Sequence, residues 1–275
     1  MNARPAARRE GPPGRPAGFP GLKRHATKKH LNHVLHVSQA YGYVYVSNPK
    51  AACSTVKLYL ARAEVGDPGF TPRDVHVRRE IPLLRPGTLA REDRRGLFDG
   101  RFFVFTFVRD PIARALSAYA DKIVGNKPQK REILQILGLD PERLDQPVSF
   151  AAFVEALGKT PPEDLNPHWR PQVYNVFWDL VDYDFIGRVE SLEADIESVR
   201  RRLDLPAYAR ERRNAKGARV DRREAVTPAL ERELARLFAW DFEAFGYAPD
   251  SAGARAVVAS EVRRGARHWR HRRLP

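Results

Sequence analysis

Phe102-Phe-Val-Phe-Thr-Phe-Val-Arg-Asp-Pro-Ile-Ala-Arg-Ala-Leu-Ser117 is the stretch on which the fold turns. Its first seven residues are a nearly continuous apolar run, the pattern of a central parallel strand covered on both faces. Asp110-Pro111 then opens a helix, with Asp as the cap and Pro at the first helical position. A second tract repeats the plan: Tyr43-Val-Tyr-Val-Ser-Asn-Pro-Lys-Ala-Ala-Cys-Ser-Thr55. Here Tyr43–Ser47 reads as a strand, Asn48-Pro49-Lys50 as a turn, and Ser54-Thr55 as the cap of an apolar-periodic helix. Both tracts place cationic and hydroxyl side chains where the strand stops. A strand-turn-helix corner also aims backbone N–H groups and a helix dipole at one spot, which suits an anion. Two such corners imply a ligand with two separate anionic groups.

The rest of the chain supports an α/β class, with a central parallel sheet flanked by helices. Tyr183–Val189 reads as a further strand, followed by a helix over Leu192–Leu203. Thr227-Pro228 opens a last helix, apolar through Leu230, Leu234, Leu237 and Phe245. Strands that alternate with helices build parallel sheets. Leu31–Gln39 leads into the first strand. Residues 70–100 are a polar excursion, residues 125–147 are polar and expected to be mobile, and a helix is expected around Ser149–Leu157.

The 275 residues carry a formal net charge of +14, but that charge is unevenly spread. Residues 1–30 and 251–275 hold almost all of it, and the stretch between is nearly neutral. The expectation is a disordered basic leader (1–30), one α/β domain (31–250) and a basic C-terminal tail (251–275). The tails suit peripheral contact with an anionic surface; a neutral body argues against nucleic acid as the main partner. Cys53 is the sole cysteine, so neither an internal disulfide nor a thiolate metal cluster can form. With no apolar run long enough for a signal or a membrane span, a soluble, cytoplasmic protein is expected.

The chemistry-bearing residues sit at the corners. Lys50 ends a strand with its ammonium free to reach a phosphate-like oxygen. The small residues Ala51, Ala52 and Cys53 let backbone come close, and the Ser54 and Thr55 hydroxyls add donors. The nucleoside-triphosphate pattern G-x-x-x-x-G-K-[ST] is not met, because the glycines are missing. Arg109 stands where ligands bind in open α/β sheets. Ser117 lies two helical turns further on, on a face shared with Arg114. An Arg fork with one hydroxyl suits a terminal phosphate.

Pro49-Lys50-Ala-Ala-Cys-Ser-Thr55 resembles the 5′-phosphosulfate loop of the membrane-type carbohydrate sulfotransferases. Phe107-Val-Arg-Asp-Pro-Ile-Ala-Arg-Ala-Leu-Ser-Ala-Tyr-Ala-Asp-Lys122 is similar to their 3′-phosphate motif. Asn166-Pro-His-Trp-Arg-Pro-Gln172, Tyr183–Glu190 and Trp240–Tyr247 extend the likeness over about residues 41–247. Two departures stand out: Asn48 precedes Pro-Lys, and no signal-anchor helix like that of the Golgi members is expected. The resemblance implies a P-loop-like fold and 3′-phosphoadenosine-5′-phosphosulfate (PAPS) as donor, with no metal required. It implies a hydroxyl or amine acceptor on a glycan or glycoconjugate. Lys50 would then bind the 5′-phosphate and stabilise charge on the bridging oxygen, while Arg109 and Ser117 hold the 3′-phosphate. Lys216 would close a basic loop over the donor. His76 and His168 are the candidate bases, with Glu80 behind them. His168 would alternatively line an acceptor cleft beside Trp169. Two rival readings are an ATP-dependent kinase of the P-loop type and a tail-driven module that binds nucleic acid or an anionic surface.

Overall fold

A computed structural model of the chain describes residues 18–207 and 220–265. Four strands form its sheet: β1 (Leu35–Ser38), β2 (Tyr43–Val46), β3 (Phe103–Val108) and β4 (Phe185–Arg188), in the order β1-β2-β3-β4. β2, β3 and β4 are parallel, with Tyr43 opposite Phe103 and Phe105 opposite Phe185. β1 runs antiparallel to β2, with Leu35 opposite Val46. The sheet is therefore mixed at one edge, not wholly parallel as expected. An antiparallel return needs only a short hairpin, whereas a parallel one needs a long crossover. Gly42, at φ 65, allows the hairpin here.

The α-helices in chain order are α1 (Gly18–His25), α2 (Lys28–Val34), α3 (Cys53–Val65), α4 (Arg91–Arg95), α5 (Pro111–Ala118), α6 (Lys130–Ile136) and α7 (Phe150–Gly158). They continue with α8 (Gln172–Asn175), α9 (Leu192–Leu203), α10 (Arg222–Ala225), α11 (Pro228–Leu237), α12 (Ala239–Phe245) and α13 (Ala252–Gly265). Alternate residues of a strand face opposite sides of its sheet. Tyr43, Tyr45, Phe105 and Phe107 accordingly pack with α3 and α9 through Val56, Leu60, Ile196 and Val199. Val44, Val46 and Val104 pack on the other side with Phe19 and Leu22 of α1 and Leu31 and Val34 of α2. A third cluster, centred on Phe153 and Trp169, joins α5, α6, α7, α11, α12 and α13.

Several boundaries move. The leader expected over residues 1–30 is folded from Gly18 onward: Phe19, Leu22 and Ala26 are buried. The expected tail over 251–275 begins as α13, whose Ala254 is fully buried against the third cluster. Both segments are basic, but each carries apolar residues that cover a sheet face or a helix face, and burial overrides the charge pattern. The 125–147 stretch holds α6, anchored by Ile133 and Leu134. The single helix expected from Thr227 to Phe245 is two, because Phe238 leaves the helical region at φ −111, ψ 22.

Candidate active site

Lys50 and Arg109 stand just beyond the ends of two adjacent parallel strands, β2 and β3. This is the edge at which open α/β sheets bind their ligands.

At the first corner the backbone takes an unexpected path. Lys50 (φ 66) and Ala52 (φ 56) both lie in the left-handed region. Non-glycine residues held there cost free energy and cluster at ligand clamps. Ala52 occupies the cap position of α3 and makes no side-chain cap bond. Ser54 and Thr55 are thus not the caps expected from sequence; they lie within the first turn, both buried. The first helical bond runs from Val56 N–H to the Ala52 carbonyl (3.1 Å), so the amides before it point out of the helix end. α3 is buried nearly all round, and even Lys57 is only 2% exposed.

The Lys50 ammonium does not stand alone. Its Nζ lies 2.9 Å from Asp121 Oδ2, and Lys122 Nζ lies 3.2 Å from the same oxygen. Burial lowers the Lys50 pKa from its ordinary value, although Asp121 works against that shift. Burial raises the Asp121 carboxyl, but Lys50 and Lys122 outweigh it and hold the group below the usual carboxylate range.

The second corner is fixed by one side chain, that of Gln172 at the start of α8. Its Oε1 accepts from the Arg109 amide (3.0 Å), and its Nε2 donates to the Arg109 carbonyl (2.8 Å). The same Oε1 accepts from Asn48 Nδ2 (2.9 Å), which also donates to the Phe107 carbonyl (3.1 Å). Gln172 therefore ties the two corners to each other. Behind it, the fully buried Asp241 accepts from the Gln172 and Val173 amides (2.8 and 3.0 Å). Burial pushes the Asp241 carboxyl up to about 6, against the pull of Arg114. Neither residue is marked as a site residue by local sequence pattern. A carboxylate between Trp240 and Phe242 in an apolar helix was the signal, because a buried charge demands partners.

Arg109 reaches back toward the first corner, Nη1 to the Lys50 carbonyl at 3.5 Å. Asp110 caps α5 by accepting from Ala113 N–H (2.8 Å) and is met by Arg222 Nη1 at 3.2 Å. The Asp110 amide donates to Glu190 Oε1 (2.8 Å), whose other oxygen accepts from Tyr247 (2.7 Å). Ser117 is half-buried on α5. Arg114, expected on the same helix face, is only 1% exposed and donates to the carbonyls of Pro49, Pro167 and Arg170. It braces the first corner against the 166–172 tract.

The two histidines differ in what their nitrogens do. His76 Nε2 meets Ser54 Oγ at 2.9 Å, and its Nδ1 meets Lys57 Nζ at 3.3 Å. An ammonium can only donate, so Nδ1 accepts and Nε2 carries the proton toward Ser54. His168 Nδ1 lies 2.8 Å from Asn166 Oδ1, an oxygen that also accepts from the His168 amide (3.1 Å). That oxygen forces Nδ1 to donate and leaves the Nε2 lone pair available. Burial lowers His168 to about 3, helped by Lys122, Arg114 and Lys50, so the ring is neutral. His76 is lowered to about 4, by burial and then by Lys57. Glu80 accepts from the Asp74 amide (3.0 Å) and pairs with Arg73. Trp169, read from sequence as a cleft wall beside His168, is fully buried against Phe153 at 5.6 Å. A ring with 0% exposure anchors the tract and presents nothing to an acceptor. Lys216 lies outside the described residues.

The family model described as the sulfotransferase family matches residues 33–248, which take in both corners and the Gln172–Asp241 support. The chain belongs to the sulfotransferase family. Among its curated relatives, carbohydrate sulfotransferase 14 of Mus musculus is 32% identical over 186 residues, covering 66% of this chain and 49% of the mouse protein. Carbohydrate sulfotransferase 14 of Danio rerio is 29% identical over 235 residues (79% of this chain, 62% of the fish protein). Carbohydrate sulfotransferase 12 of Mus musculus is 29% identical over 258 residues (79% and 60%). The chain thus spans about half to three-fifths of the length of these relatives. No solved structure gives a significant match. Among the described residues no helix is long and apolar enough to cross a membrane. The expected cytoplasmic location gains no support from the relatives.

Proposed function

We propose that this chain transfers a sulfuryl group from PAPS to a hydroxyl group of a carbohydrate. The observation that carries the reading is the pair of anion-ready corners, Lys50 and Arg109, locked together by Gln172 at the ends of adjacent strands. The residues present fit such a donor. The left-handed backbone at 50 and 52, with only methyl groups at Ala51 and Ala52, leaves a close approach for a phosphosulfate. The names of the relatives point to a carbohydrate acceptor.

The donor supplies an activated sulfuryl group whose leaving group is a phosphate. Lys50 holds the oxygen on which charge builds as the S–O bond to that phosphate breaks, and the amides and hydroxyls of Ser54 and Thr55 flank it. Arg109 and Ser117 hold the 3′-phosphate at the other corner. Fixed positions for both ends convert the reaction into an oriented one, which is worth several kcal/mol, on the order of 7–11 at best. Of the two histidines the geometry favours His168 as base. Its Nε2 lone pair takes the acceptor proton as the hydroxyl oxygen bonds to sulfur. His76 instead holds Ser54 in place, itself held by Lys57.

Calorimetry with adenosine 3′,5′-bisphosphate tests the reading on the wild type, Lys50→Ala and Arg109→Ala. The expected result is wild-type binding that weakens at least about tenfold in each variant. Absence of wild-type binding, or binding of Mg·ATP in its place, overturns it in favour of a kinase.

A further inference from the structure

We infer that Asp121 is a positioning residue that parks the Lys50 ammonium in the donor-free protein and, keeping Lys122 as its own partner, releases Lys50 when a donor phosphate arrives. The inference rests on the donor reading above. It starts from a local irregularity. α5 does not continue as an α-helix but passes into a π-helical turn over Tyr119–Val124. Such turns are rare and gather at functional sites. This one has a cost in sequence: a Cβ at Gly125 would stand 2.3 Å from the Asp121 carbonyl, so the turn closes only on glycine.

The extra residue in that turn carries Asp121 to the first corner, 71 positions from Lys50 in the chain. Its Oδ2 lies 2.9 Å from Lys50 Nζ and 3.2 Å from Lys122 Nζ. One carboxylate oxygen is shared by two ammonium groups, and this makes an exchange inexpensive. When Lys50 turns to a phosphate, Asp121 keeps Lys122 and is never left as a half-buried, unpaired charge. Lys122 is itself well covered, at 17% side-chain exposure, so its contact is not a loose surface pair. Other charged or titratable groups facing the corner include His168, Arg114 and Cys53, all from outside the π turn.

The arrangement has a consequence of definite sign. A phosphate must compete with Asp121 for Lys50 and also dock beside its negative charge. Apparent affinity is reduced by the fraction of protein whose Lys50 is free. Removal of the carboxylate should therefore tighten donor-side binding, which the loss of a merely structural contact would not do.

The test is calorimetry with adenosine 3′,5′-bisphosphate on the wild type, Asp121→Asn, Asp121→Ser, Lys50→Ala and the Lys50→Ala/Asp121→Asn double variant, with melting temperatures as the fold control. The expected result is affinity about threefold to tenfold tighter in Asp121→Asn, with a clearly smaller gain from the same change in the Lys50→Ala background. Unchanged or weaker binding in folded Asp121 variants, or an equal gain without Lys50, overturns the inference while the donor reading stands. No binding by the wild type removes the donor reading and this inference together. A structure of the wild type with the bisphosphate decides even if both Asp121 variants misfold. The Lys50–Asp121 contact should be lost and the Asp121–Lys122 contact kept; a retained Lys50–Asp121 pair overturns the exchange.

Discussion

At the residue scale, the site is defined less by which groups are present than by what each is already bonded to. His76 and His168 are chemically identical side chains, yet Lys57 and Ser54 occupy both nitrogens of one, whereas Asn166 occupies a single nitrogen of the other. A base needs an available lone pair within reach of the proton it removes. His168→Gln should therefore lower turnover by about 10²–10⁴-fold and leave adenosine 3′,5′-bisphosphate binding unchanged. Transfer of radiolabelled sulfate to a panel of desulfated polysaccharides measures the first, and calorimetry the second. A turnover as high as wild type would return the role to His76. Lys50 and Arg109 stand out in the sequence as candidate anion ligands because each lies in the short turn after a strand. Gln172, Asp241 and Asp121 do not, since their partners lie 63 to 124 positions away or meet them across separate elements.

At the element scale, strand and helix types followed from local patterns, and their ends followed from contacts. α9 was legible to the residue, because Leu192, Ile196, Val199 and Leu203 keep one apolar stripe. β1 was hidden inside Leu31–Gln39, since a four-residue edge strand leaves too little alternation to recognise. The left-handed conformations at Lys50 and Ala52 were hidden for another reason: glycine is the usual marker of that conformation, and neither residue is glycine. β4 carries a glycine whose purpose is packing. A Cβ on Gly187 would stand 2.4 Å from the Phe107 ring in the neighbouring strand. Gly187→Ala should destabilise the fold by roughly 1–3 kcal/mol through overpacking. Differential scanning calorimetry should show a melting temperature lower by roughly 2–10 °C. An unchanged melting temperature would mean that β3 and β4 are not packed at that register.

At the scale of the whole molecule, the histidines link stability to pH. Burial lowers His30 to about 4, helped by Arg170, and His168 to about 3. His36, fully buried, is driven well below its ordinary value by burial and then by Lys57 and Arg78. The unfolded chain takes up these protons near pH 6.5, and the folded protein does so only well below that. Their contribution is thus complete above pH 6.5 and is lost as pH falls toward 4. Asp241 has the opposite sign: its folded pKa is raised to about 6, so its contribution is greatest below 3.8 and is lost as pH rises through 6. The lowered histidines, His33 and His76 among them, outweigh the raised carboxyls of Asp110, Glu132 and Asp241, and urea midpoints should fall between pH 6.5 and pH 4 by the equivalent of a few kcal/mol, on that order of magnitude. A flat or rising profile over that window would contradict the buried, neutral histidines. Charge alone misled the reading of the chain ends, because Phe19, Leu22 and Ala254 find apolar partners that no local window contains. The sequence by itself determined the two strand-turn-helix corners and their cations, since a strand's run, a proline turn and a helix start are contiguous and act over a few residues. Only the tertiary structure decided which histidine keeps a lone pair, what holds Lys50, and how Gln172 joins the corners. Hydrogen-bond and ion-pair partners are set by proximity in space, and here that proximity arises from packing across the sheet edge.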